Sequence, residues 1–130
     1  MRAQLLAYLT TNLTGTIKPS QELPWTEGGA ALYTKNLRKV YLDDDTIEQV
    51  ELLGTLDDSD INQNITTVAG FLSVDAKNRN ADLDTALTVL AAARNVSTIT
   101  NTFRKEFDYT TSIDADRITY EFEYRFYTLA

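Results

Sequence analysis

Cysteine and histidine are both absent from this chain of 130 residues. Without cysteine there is no disulfide framework, no thiolate zinc site and no thiol nucleophile, a pattern that fits a reducing compartment. The lack of histidine excludes more. It removes the commonest general base near neutral pH and the commonest transition-metal ligand. No apolar run approaches membrane-spanning length, and the opening "MRAQLLAYLTTN" is interrupted by Gln4, Tyr8 and Thr10, unlike the apolar core of a signal peptide. A soluble protein made inside the cell is expected. Positive charge is scarce as well: 12 basic against 19 acidic side chains leave a net charge of −7, which opposes non-specific binding to nucleic-acid phosphates or anionic membranes. Internal repeats, low-complexity tracts and domain linkers are also missing, so residues 1–130 read as one domain. A fold of this size buries roughly two-thirds of the surface that its unfolded chain exposes.

What is present is strong periodicity. Leu5, Leu6, Leu9 and Leu13 fall on one helical face, with Gly15 and Pro19 as stop signals just beyond. From Thr16 to Gly29 the pattern dissolves into "TIKPSQELPWTEGG", read as loop with an extended edge near Trp25, which itself reads as a cap on the core. In "NLRKVYL" the residues Leu37, Lys39 and Tyr41 share one strand face and Arg38, Val40 and Leu42 the other. "DDDT" separates that strand from "IEQVELL", a second run of strand formers. Farther on, Val68, Gly70, Leu72, Val74 and Ala76 make one face of a central strand, with Ile65, Ala69 and Phe71 on the other. Gly70 inside it predicts close approach by packed backbone, such as a helix laid across the sheet.

Helical period returns in "NADLDTALTVLAAARNV". Leu83, Leu87, Leu90 and Arg94 form one stripe beside Ala86, Val89 and Ala93, Asn80 can cap the start, and Asp82 and Asp84 sit near the positive end of the helix dipole. The tail is the clearest signal: in "RITYEFEYRFY", Ile118, Tyr120, Phe122, Tyr124 and Phe126 alternate with Thr119, Glu121, Glu123 and Arg125. Together with Phe103, Lys105, Phe107 and Tyr109 this predicts a hairpin around "SIDAD". The order helix, three strands, helix, two strands places the chain in the α+β class, with a mixed or antiparallel sheet of four to five strands and two helices packed on it.

The acids cluster at Asp43, Asp44 and Asp45, at Asp57, Asp58 and Asp60, at Asp82 and Asp84, and at Asp114 and Asp116. Asp58, Asp60 and Asn62 have the alternate spacing that opens a calcium loop, yet Gln63 and Ala69 stand where such a loop needs its turn glycine and its bidentate glutamate. No metal site is expected. Acids in polar turns are commonly just solvated. An acid-pair hydrolase or ligand-binding protein would need two carboxylates facing across a pocket, for example Asp60 and Glu121. Ser20, Ser59, Ser73, Ser97 and Ser112 lie in no nucleophile elbow, and "EGGA" is no phosphate loop. Neither a catalytic residue nor a cofactor is assigned.

The opening helix "MRAQLLAYL", the strand "ITTVAGFLSV" running into the helix "ADLDTALTVLAAAR", and the closing pair "FRKEFDYTTSIDADRITYEFEYRF" together resemble the tail terminator proteins of long-tailed bacteriophages. The likeness rests on length, acidity, element order and the tyrosine-rich last strand, and spans most of the chain apart from Thr16 to Leu32. It implies a virion structural protein with no enzymatic activity, made in the host cytoplasm and located at the head-proximal end of the tail. There it would form a homo-oligomeric, six-fold ring that caps the tail tube protein, stops its polymerisation and docks a head-side connector or neck protein. DNA would pass through the lumen without sequence-specific binding. Within that frame Asp43, Asp44, Asp45, Asp57, Asp58 and Asp60 are candidates for the lumen or a subunit interface, since negative charge repels phosphates and lets DNA slide. Another head-to-tail connector or tail completion protein is the near alternative.

Overall fold

Two leucine-rich helices lie across one face of a six-stranded sheet, an α+β arrangement with one strand more than the upper count the periodicity predicts. The computed structural model describes residues 1–23, 38–53, 61–75, 81–96, 102–114 and 117–129. Trp25, Asn80 and Asp116 lie outside the described residues. The elements are α1 (Arg2–Asn12), β1 (Lys18–Pro19), β2 (Lys39–Leu42), β3 (Thr46–Leu53), β4 (Ile61–Asp75), α2 (Ala81–Ala92), a 3₁₀ turn (Ala93–Asn95), β5 (Thr102–Asp114) and β6 (Arg117–Leu129). The extra strand is β1, two residues that pair in parallel with β2 inside the stretch whose composition reads as loop.

Strand order is β1, β2, β4, β6, β5, with β3 also paired to β4, and every pairing except β1 with β2 is antiparallel. The two longest ladders join β4 to β6 and β6 to β5. β6 is therefore the spine of the sheet. Its alternation does what the sequence predicts: Ile118, Tyr120, Phe122, Tyr124 and Phe126 are buried, while Glu121 is exposed and Thr119, Glu123 and Arg125 are half-buried. Burying a large side chain of this kind stabilises by roughly 1.5–3 kcal/mol before entropy is counted. Over this face pack Leu5, Leu6, Leu9 and Leu13 around α1, and Leu83, Ala86, Leu90 and Ala93 from α2 and the turn after it. Arg94, on the same sequence stripe, points out to solvent.

Tyr124 ties the layers together. Its hydroxyl donates to the carbonyl of Leu90 at 2.5 Å, satisfying one of the last four carbonyls of α2, which have no partner inside the helix. Burial pushes its phenol well above the usual range, and Tyr8 nearby adds a smaller push in the same direction.

Gly70 is required, for a reason different from the expected helix. A side chain there would meet the carbonyl oxygen of Tyr41 at 2.3 Å and the ring of Phe122 at 2.7 Å, so the neighbouring strands, and no helix, fill its space. Tyr41 points away from the helices and is nonetheless fully buried, stacked on Phe71 with ring centroids 5.1 Å apart. Alternation alone assigns it to an open face.

Candidate functional site: two sheet edges and an acidic face

"DDDT" is a bulge in one edge of the sheet. Leu42 pairs with Gly70 and Thr46 with Thr67, so three residues on this edge oppose two on β4, and the amide of Asp43 donates to Ala69 at 2.7 Å within the gap. One extra residue reverses the side-chain parity. Even-numbered Val40 and Leu42 of β2 face the helices, whereas after the bulge the odd-numbered Ile47 and Gln49 take that face and Glu48 and Val50 turn to the other.

The candidate acids separate here. Asp45 reaches back to the start of α1, where its carboxylate accepts from the Arg2 amide at 2.7 Å and pairs with the amino group of Met1. It serves as the missing cap of α1, where the helix dipole favours negative charge. Asp43 is half-buried and accepts from the amide of Asp44 at 2.8 Å, and Asp44 is exposed. Asp57, Asp58 and Asp60 lie outside the described residues, as does the position of the postulated pair of Asp60 with Glu121. Asn62, Gln63 and Ala69, however, are all in β4, with Asn62 opposite Glu51. The last nine positions of a twelve-residue calcium loop starting at Asp58, Ile61 to Ala69, lie in this extended strand. The described part of that stretch, 61–69, is strand and lacks the turn such a loop makes at its sixth position.

The face of the sheet away from the helices is polar and mostly acidic. Arg125 on β6 lies among Glu123, Glu106 and Asp108; it bonds Glu123, approaches Glu106 at 3.4 Å and stands 3.8 Å from Asp108. Hydrogen bonding to Glu123 raises the pKa of its guanidinium further. Tyr127 donates to Glu106 at 3.1 Å, and Arg104 pairs with Glu106 while lying 5.2 Å above the Tyr127 ring. Glu121 and Glu48 extend this face outward, both exposed. The sequence reads Glu121 and Glu123 as the polar side of the last strand and places the lumen or interface candidates at the aspartate turns instead. The signal was nevertheless there, in the polar half of the "RITYEFEYRFY" alternation.

Two edges of the sheet carry no strand partner among the described residues. β1 covers the flank of β2, which leaves β3 as the free edge on that side, and β5 is the free edge on the other. Both edges display large apolar side chains: Ile47 on β3 is 69% exposed, and Phe103, Tyr109 and Ile113 on β5 are each at least half exposed. Free edges usually carry charges, prolines or covering loops that discourage pairing.

A cleft of about 250 Å³ between the end of α1 and the start of α2 is lined by Leu13, Gly15, Ile17, Asp82 and Thr85. Its single carboxylate, Asp82, is engaged by the amide and hydroxyl of Thr16 at 3.3 and 3.0 Å, which pins the loop after α1 to the first turn of α2. Among the described residues no group of three acids converges as a metal site, and no helix is long and apolar enough to cross a membrane. Compared with known proteins, the chain matches no family model and no curated protein in sequence.

Proposed function

We propose that the protein is a ring-forming tail terminator of a long-tailed bacteriophage, a structural component with no chemistry of its own. The observation that carries this reading is the shape of the sheet: helices cover one face, the other carries more acids than cations, and among the described residues an edge strand without a strand partner stands at each side. Copies joined side by side would close a ring with helices outside and Glu48, Glu106, Asp108, Glu121 and Glu123, outnumbering Arg104 and Arg125 on the same face, directed at a lumen. Such a lining repels phosphates, so a DNA polymer passes without being gripped. In this reading the ring is a hexamer, sits on the head-proximal end of the tail tube and offers its far face to a head-side connector.

Native mass spectrometry over a concentration series, followed by a tube-capping assay, tests the proposal. Closed rings that halt the growth of purified tail tubes are the expected result. Rings that bind the head portal assembly and leave tube growth unchanged would move the protein to the neck, as a connector. A monomer at every concentration, with tube growth unaffected, would overturn both.

A further inference from the structure

The two free edges match each other. Glu48 of β3 pairs with Ile65 of β4, Ile65 with Tyr127 of β6, and Tyr127 with Arg104 of β5. One row of the sheet thus runs from Glu48 at one edge to Arg104 at the other, with both side chains on the acidic face. The row beside it runs from Ile47 through Thr66 and Phe126 to Lys105, on the helix face. Because three antiparallel pairings separate them, β3 and β5 run in opposite directions. A second copy set beside the first by a simple rotation about a ring axis therefore brings β5 of one against β3 of the next as an antiparallel pair.

From this we infer that copies of the chain associate head to tail by β3 to β5 pairing, with Glu48 of one copy against Arg104 of its neighbour. The inference rests on the ring reading only in taking the chain to self-associate. Register supports it: level pairing sets Glu48 opposite Arg104 and Ile47 opposite Lys105, whose aliphatic stem can cover the exposed isoleucine. Sliding by two residues one way sets Glu48 against Glu106, a like-charge contact, and the other way sets it against no cation. One register is favoured and its neighbour is penalised. Glu48 has no charged partner within its own chain among the described residues, and Arg104, 63% exposed, uses only its NH2 group on Glu106. Its remaining donors can take a second carboxylate. Pairing starts at Thr46 and runs through Glu48 to the point where the register of β5 shifts between Thr102 and Arg104; it stops on the other side at the bulge, because β1 occupies the flank of β2 beyond it. The outer half of the β5–β6 hairpin diverges from the neighbour at that point.

The test uses the absence of native cysteine. Glu48→Cys and Arg104→Cys are made separately and together in the full chain. Oxidation of the two single variants mixed should give cross-linked dimers that neither gives alone, and the double variant should give a ladder of covalent oligomers ending at the ring. In parallel, Arg104→Glu should raise the concentration of half-assembly roughly tenfold, and adding Glu48→Arg should restore it. Cross-links within a single variant alone would mean a two-fold contact and overturn the head-to-tail pairing. Rings without any cross-link would overturn the edge assignment and leave the ring reading intact, whereas cross-linked rings that fail to cap tubes would support the edge assignment and overturn the terminator reading. A monomer with no cross-link at any concentration overturns the inference outright.

Discussion

Removing one oxygen from Tyr124 should cost more than its size suggests. The Tyr124→Phe variant keeps the ring, which is fully buried among Phe107, Phe122 and Phe126, and deletes only the donor to the Leu90 carbonyl. That carbonyl, on a fully buried residue, then loses its side-chain donor. Leaving such a group unsatisfied costs about 1–3 kcal/mol. At this chain length each kcal/mol lowers the melting temperature by roughly 4 °C, so a fall of roughly 4–12 °C is expected. Alkaline pH provides an independent check. Because burial raises the Tyr124 pKa above its ordinary value of 10.0, the folded state retains a proton that the unfolded chain releases. The contribution is complete below pH 10 and is lost as the pH rises past it, at up to about 1.4 kcal/mol per pH unit. Urea melts of both proteins at pH 8, 10 and 11 read the difference directly. The gap between them should be widest at pH 8 and narrow by pH 11, since the variant has no proton to lose. A gap absent at pH 8, or constant across the series, would refute the buried hydrogen bond.

Two further substitutions probe the sheet and the bulge. Gly70→Ala forces a methyl group against the Tyr41 carbonyl and the Phe122 ring; overpacking of this kind costs about 1–3 kcal/mol, and a carbonyl in a β-ladder yields less easily than a side chain. Urea denaturation reads it, and a midpoint equal to that of the parent would show that β2 and β4 part freely. Asp45→Ala removes the cap from α1 and should destabilise by about 0.5–2 kcal/mol, with Asp45→Asn recovering part of the loss through its bond to the Arg2 amide. Equal melting of Asp45→Ala and the parent would assign Asp45 no part in holding α1.

Much of this protein is determined by the sequence alone, because periodicity is a local property. The leucine spacing of both helices, the alternation in β6 and the antiparallel pairing of β5 with β6 each follow from residues within a few positions of one another, and the structure bears them out. Composition likewise excludes thiol and imidazole chemistry in this chain, whatever its fold. What only the tertiary structure decides is pairing between distant segments. Asp45 caps a helix that begins more than forty residues earlier, and no local pattern distinguishes it from Asp44. Two residues around Pro19 become a strand only because β2 presents an edge to them. Tyr41 is buried on the face away from the helices, stacked on Phe71, and Gly70 is required by Phe122, fifty-two positions away. The row from Glu48 to Arg104 is the furthest case. Three successive registers fix it, each set by burial of side chains on the opposite face, and a slip of one residue in any of them would break it.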